Sequence, residues 1–232
     1  DLRSSRGPAT TNRYLGALRS CWSWGRGMHL IATERNWPQR LQLKEPRGRT
    51  RFLADDEIAR LLKASEDDAV IKAAIVVSLA TGVRQGELLR VTWADVDLVG
   101  GKLKVRESKN DESRVVHLPA NAVEALKALK KLPVVSAVHV FLNAEGKPIR
   151  KGVLEHRWRK IRTTAKLIDF HWHDLRHTCA SILVQNGASL PQIGGVLGHK
   201  SPSMTMRYSH LVQGAAVTGH DVLNTKLGAP QK

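Results

Sequence analysis

Only two of the 232 residues are cysteines, Cys21 and Cys179. Two thiols are too few for a disulfide framework or a cysteine-based zinc cluster, so a reducing, cytoplasmic setting is expected. Cys179 lies in an apolar run and is expected in the core. The chain also lacks any run of about 20 apolar residues, the length a membrane span needs. No signal peptide opens it. It has no initiator Met and starts at Asp1 in a polar, basic stretch, so a longer protein with further sequence ahead of Asp1 is expected. Internal repeats and low-complexity tracts are missing. Acidic residues are scarce: 21 Asp and Glu stand against 37 Lys and Arg, for a net charge of +16 and a pI near 10.4. That imbalance points to a polyanionic partner, nucleic acid first. A membrane surface would call for a basic amphipathic helix with an apolar face, and no stretch shows one clearly. Tyrosine is scarcer still, with only Tyr14 and Tyr208.

What is present reads as an ordinary globular chain, 42% hydrophobic and 25% charged. Its length suffices for one substantial core and a small extra module. Tyr14, Leu15, Leu18 and Trp22 share one face of a helix over residues 10–25, and a shorter helical stretch runs from Leu30 to Arg35. The basic segment from Lys44 to Arg51 contains Pro46 and Gly48 and has no apolar period, which marks a linker. Beyond it, Asp55 or Asp56 is expected to cap a helix with Ile58, Leu61 and Leu62 as its buried stripe. Residues 69–80 are apolar on nearly all sides, the pattern of a central core helix, and Gly82 stops them. Residues 101–118 alternate as a β-hairpin around Asn110-Asp111. Helices are expected at about 120–131, 151–166 and 174–186, from Leu190 to Gly198, and around Tyr208. The fold class is mainly α with a small antiparallel β-sheet (α+β). The domains are a helical module over 1–46, a larger domain over 47–213 and a tail over 214–232.

The chemistry-bearing residues fall in ordered motifs. Arg84 follows Thr81-Gly82-Val83, and Glu87 lies three residues on, where it can hold the guanidinium. A guanidinium fork matches two phosphate oxygens. His173 and Arg176 point to one side of a helix start, where free N–H groups favour an anion. Lys109 sits at the hairpin tip, placed either in solvent or in a groove where it can protonate a leaving alkoxide. His199 follows Gly198, either stabilising a helix end or donating to a phosphate. Tyr208 comes nine residues later. A phenol has a pKa near 10, so it attacks only when neighbouring cations stabilise the phenolate and a His takes its proton. The His171, His173 and His177 cluster suggests zinc, but an Arg fills the place where helical zinc sites carry a Glu; no metal is expected. His177 is expected as a buried structural residue and His171 in a loop.

Together Thr-Gly-x-Arg-x-x-Glu, the hairpin Lys, His-Asp-Leu-Arg-His, Leu-Gly-His and Thr-x-x-Tyr-Ser-His resemble the tyrosine recombinases, the phage integrase family. The likeness covers about Arg51 to Leu211, and residues 10–46 look like the end of that family's core-binding domain. The resemblance implies a site-specific recombinase or integrase of a phage or other mobile element. It makes Tyr208 a nucleophile forming a 3′-phosphotyrosyl bond to DNA, and Arg84 and Arg176 a clamp on the scissile phosphate. Lys109 would protonate the 5′-oxygen, His173 would act as acid–base on the Tyr208 proton, and His199 would bond a non-bridging oxygen. Glu87 and His177 would support these groups. No cofactor, ATP or divalent metal is implied.

The resemblance also implies partners. Lys44, Arg47, Arg49 and Arg51 would lie on phosphates of double-stranded DNA carrying recombination sites. Four protomers would act together, with accessory DNA-bending or directionality factors, and residues after Leu211 would pack on a neighbouring protomer. The setting would be the nucleoid of a bacterial cell or phage-infected host. Two other readings stand beside this one: a type IB topoisomerase-like enzyme, and a DNA-binding relative without catalysis.

Overall fold

The computed structural model describes residues 6–31, 37, 41–46, 49, 51–106 and 113–212. The chain divides into two compact units, Asp1–Arg49 and Thr50–Lys232. The first is built on helix α1 (Pro8–Gly27), which opens with proline in its first turn, where a missing N–H costs nothing. The Asn12 amide donates to the Leu43 carbonyl and accepts from the Leu43 N–H, both at 2.8 Å, tying residues 41–46 to the helix. Trp22 meets Trp37 edge-on at 6.1 Å. The shared face read from the sequence is only partly covered: Tyr14 and Leu18 are 50% and 51% exposed. Leu30 and Ile31 are not helical, and residues 32–36 lie outside the described residues.

The second unit carries α2 (Asp55–Ala64), α3 (Ala69–Thr81) and the single turn α4 (Gln85–Leu88). A 3-10 turn (Trp93–Asp95) leads into β1 (Val96–Asp97), β2 (Lys102–Arg106) and β3 (Ser113–His117). Then come α5 (Ala120–Leu129), α6 (Lys151–Thr164), α7 (Asp174–Gln185), α8 (Leu190–Leu197), α9 (Pro202–Met206) and α10 (Ser209–Val212). The fold is mainly helical with one three-stranded antiparallel sheet in the order β1-β2-β3. The strand β1 is too short to show a period, and the sequence pattern showed only the hairpin.

The centre is α3, as its unbroken apolar run predicts. Ile71, Ala73, Ala74, Ile75 and Val77 are buried, and the helix packs against α5 and α7. Its start is capped by Asp68, which accepts from the Ile71 N–H at 3.1 Å. Its end turns at Gly82, with φ at 61°. A Cβ there would collide with Leu197 Cδ2, so α8 closes directly on this glycine. The α2 start differs from expectation. Ala54 is the cap position, and Asp55 and Asp56 lie inside the first turn; Glu57 reaches back to the Ala54 N–H at 3.1 Å. Thr178 on α7 accepts from the Leu53 N–H at 3.1 Å, fixing the start of this unit to the helix that carries the site.

In the hairpin Leu103 and Val105 face inward between exposed lysines and Arg106. Val105 pairs with Arg114 and Leu103 with Val116, which places Arg114 on the inward side. Residues 107–112, including Lys109, lie outside the described residues, as do Arg47 and the tail 213–232.

Candidate active site

Three chain segments meet around the end of α3. Gly82 turns the chain so that Arg84 becomes the N-cap of α4. Glu87, one turn on, is buried. Its Oε2 accepts from the Arg84 backbone N–H at 3.0 Å and its Oε1 from Arg84 Nη1 at 2.7 Å. The carboxylate thus orients the guanidinium of the same motif, as its spacing suggests. Burial pushes the Glu87 pKa up, but the bonds from Arg114 and from the Arg84 backbone and side chain prevail and hold it at about 2.

Arg176 and His177 follow from α7, which begins at the buried Asp174; that carboxylate accepts from the His171 N–H at 2.8 Å. Arg176 is only 4% exposed. Its Nη1 donates to the Gly82 carbonyl at 2.6 Å, so the glycine ends α3, admits Leu197 and anchors the second guanidinium. Burial, then the charges of Arg84 and Arg114, lower the Arg176 pKa to about 10, well above neutrality. Two fixed positive forks therefore stand near each other before any anion arrives, an arrangement that costs stability and favours a polyanionic ligand.

The imidazoles surround these forks. His173 is exposed at the N-cap of α7, its ring 5.2 Å from that of His177. Partial desolvation and the Arg176 charge hold its pKa below the ordinary value. His199 follows Gly198, which ends α8 with φ at 67°. Its Nδ1 is 2.7 Å from Thr205 Oγ1, and burial with Arg176 beside it lowers its pKa to about 4.

Tyr208 is not within a helix, as expected from the sequence, but in the turn between α9 and α10. It is 3% exposed and packs with Cys179, Ala180, Val184, Ile193 and Leu197. Its Oη lies 2.7 Å from Nδ1 of His177. The imidazole bonded to the phenol is thus His177, read from sequence as a structural residue, and not His173. Burial, and next the charge of His173, lower the His177 pKa to about 4, while burial raises that of Tyr208. At neutral pH the pair is a protonated phenol against a neutral imidazole. When the ring carries its proton on Nε2, the phenol donates to Nδ1.

The structure brings together Arg84, Glu87, His173, Arg176, His177, His199 and Tyr208. The basic stretch behaves differently. Arg51 donates to both Glu57 carboxylate oxygens, at 2.9 and 2.5 Å, and lies over the Phe170 ring, so its fork serves an internal ion pair rather than standing open to phosphate. Lys44 and Arg49 are exposed in the first unit. Cys179 is buried beneath Tyr208, with burial pushing its thiol up to about 12. Among the described residues, no group of three or more His, Cys, Asp or Glu is arranged to hold a metal ion, and no helix is long and apolar enough to cross a membrane.

Sequence reasoning missed Arg114. Its Nη2 donates to Glu87 Oε2 at 2.9 Å. Its signal was visible: a charged residue at an inward position of the hairpin's alternation.

The family model described as "Phage integrase family" matches residues 51–214. The shufflon-specific DNA recombinase of Escherichia coli is 32% identical over 167 residues, covering 71% of this chain and 41% of that protein. Tyrosine recombinase XerC of Xanthomonas campestris is 29% identical over 214 residues, 90% of this chain and 66% of the relative. The chain therefore spans less than two thirds of either relative's length. Among solved structures, XerA recombinase superposes with a TM-score of 0.65 at 23% identity, covering 99% of this chain and 86% of its own. The Tn1549 transposon integrase in complex with transposon right end DNA gives 0.75 at 18% identity, covering 98% and 82%. These structures share the fold, and the matched span holds every described residue of the site. The chain is a member of the phage integrase family, the tyrosine recombinases.

Proposed function

We propose that this protein cleaves and rejoins DNA through a phosphotyrosine link. Tyr208 Oη attacks the phosphorus of a phosphodiester. The bond from phosphorus to the 5′-oxygen breaks, and the phosphate stays on the protein through its 3′-side. The phenolic proton passes to His177 Nδ1, and the departing 5′-oxygen takes a proton from Lys109, which the family likeness assigns. In rejoining, a 5′-hydroxyl attacks the same phosphorus and gives its proton back to Lys109, the bond from phosphorus to Tyr208 Oη breaks, and the phenol regains its proton from His177. The covalent link conserves the phosphodiester's energy, so the cycle needs no ATP. Arg84 and Arg176 supply the charge stabilisation that metal ions give in other phosphoryl transfers. His199, neutral above about pH 4, bonds a non-bridging oxygen; His173, at the open edge, serves proton movement toward solvent.

The observation that carries this reading is the buried Tyr208–His177 pair at 2.7 Å beside a buried Arg176. A neutral imidazole 2.7 Å from the phenol is placed to take its proton as the phenolate forms, and a fixed guanidinium offsets the phenolate charge. The net charge of +16 supports duplex DNA as the partner. Exchange between two duplexes by four protomers, a target site in a phage or mobile element, accessory factors and a tail passed between protomers belong to the same proposal. So does a division of labour between a core-binding module and a catalytic domain. Lys44, Arg47 and Arg49 are the phosphate contacts near the linker.

The test is a pool of nicked duplexes with randomised centres, in which cleavage releases the short downstream strand and strands the protein on DNA. The wild-type chain is expected to migrate with DNA on a denaturing gel. Tyr208→Phe is expected to bind the same pool without forming the adduct, a loss of order 10³-fold or more. An adduct formed equally by Tyr208→Phe removes the nucleophile assignment.

A further inference from the structure

We propose that Arg114 is a positioning residue that locks the Arg84 fork and the His199 turn into one frame; the proposal rests on the strand-transfer reading above. Arg114 stands on β3, facing inward opposite Val105. Its Nη2 reaches Glu87 Oε2 at 2.9 Å, while Glu87 Oε1 takes Arg84 Nη1 at 2.7 Å. One buried carboxylate therefore joins two guanidiniums, and through them the hairpin to the turn that presents Arg84. Without Arg114, Glu87 keeps one partner and gains room to swing, and Arg84 swings with it.

The other side of the same guanidinium meets α8. A Cβ built on Gly198 would fall 2.7 Å from Arg114 Nε and 2.8 Å from its Cδ and Cζ. The guanidinium is thus the floor under the turn that delivers His199. Only glycine satisfies both this contact and the φ of 67°. Arg114, Gly198, His199 and Thr205 also line one cavity of about 640 Å³.

The remaining donors show that Arg114 acts through its neighbours. Nε and Nη1 are enclosed and have no hydrogen-bond partner. Neither can touch a phosphate without leaving its place. Burying unpaired charged donors is costly, and a cation with only a surface role avoids that by turning to solvent. Arg114 stays, wedged between Glu87 and Gly198. Its charge is felt at both Arg176 and His199, where it helps keep the imidazole neutral. A catalytic site depends on such fixed geometry, because a displacement of about 1 Å can cost ~10²-fold in rate.

The experiment measures single-turnover adduct formation and DNA affinity separately on the nicked-duplex pool, with thermal melting as a check on folding. Arg114→Met is expected to slow adduct formation by about 10- to 10²-fold with affinity changed less than about 3-fold. Arg114→Lys, which can reach Glu87 but cannot lie flat under Gly198, is expected to recover part of the rate, and it is the variant to measure if Arg114→Met does not fold. In a Glu87→Gln background, Arg114→Met is expected to add little further loss, because the shared link is already broken. A folded Arg114 variant that cleaves at the wild-type rate overturns the proposal. So does a parallel loss of affinity and rate, which makes Arg114 a DNA contact. Absence of any adduct from the wild-type chain overturns the strand-transfer reading itself and this inference with it.

Discussion

The two guanidinium forks and the phenol belong to differently built regions of the second unit. The forks rest on the large core: Val83 and Leu88 flank Arg84 and Glu87, Leu175 precedes Arg176, and all three apolar residues are buried in the cluster centred on α3. Tyr208 is itself a wall of a much smaller cluster with Cys179, Ala180, Val184, Ile193 and Leu197. The helix α7 crosses from one to the other, carrying Arg176 and His177 in its first turn, between Leu175 of the first cluster and Cys179 of the second. The cations therefore sit on rigid ground, where preorganised charge stabilises best. Tyr208 sits in a small nest of few apolar partners, where local rearrangement costs less. In that nest the phenol is 3% exposed and held against His177.

Substitutions separate the two regions. Arg176→Ala is expected to show the largest effect. Single-turnover cleavage should fall by about 10²–10³-fold. Melting should also fall, because the Gly82 carbonyl loses its donor. Arg84→Ala should match that rate loss with less loss of stability, since the Arg84 side chain is 37% exposed. Equal destabilisation by the two would blur the contrast.

His177→Gln tests the border of the smaller cluster. It is expected to slow cleavage by about 10²-fold while leaving DNA affinity unchanged. In the wild-type protein burial holds His177 at about 4, so the cleavage rate should not show an acid limb at the ordinary histidine value. A limb centred near pH 6.5 would mean that an imidazole other than His177 takes the proton.

Gly82→Ala probes the seam where both regions meet. A residue with a Cβ is strained at φ 61° and collides with Leu197 Cδ2, so denaturant melting should show a loss of about 2–4 kcal/mol. The pH dependence of stability is the gentlest test. His177 and His199 have folded pKa values of about 4, below their unfolded values. The unfolded chain therefore takes up protons first, and stability should decline as pH drops from about 6.5 to 4. Glu87, held at about 2, adds stability that is present above its unfolded pKa and is lost as pH falls further. His177→Gln should flatten the first decline.

Much of this was legible in the chain. The core helix α3 announces itself by an apolar run with no polar face, and the glycine that ends it sits where the run stops. Motif spacing placed Glu87 against Arg84. Spacing does not say which way a ring turns: His173 and His177 lie one turn apart at the start of α7, and the fold sets His177 against Tyr208. The ion pair of Arg51 was hidden for a related reason. A basic run looks like a solvated surface until Glu57 and Phe170 are folded beside it. The inward place of Arg114 was visible in the hairpin's alternation, but its partners, Glu87 and Gly198, lie 27 and 84 residues away and come together only in the fold.

The central claim is that the Tyr208 phenol becomes bonded to DNA phosphorus. Digestion of the adduct with nuclease and protease, followed by mass spectrometry of the nucleotide-bearing peptide, tests it directly. The modified residue is expected to be Tyr208, carrying the phosphate on its phenolic oxygen. A nucleotide found instead on Tyr14, a serine or a histidine would contradict the account.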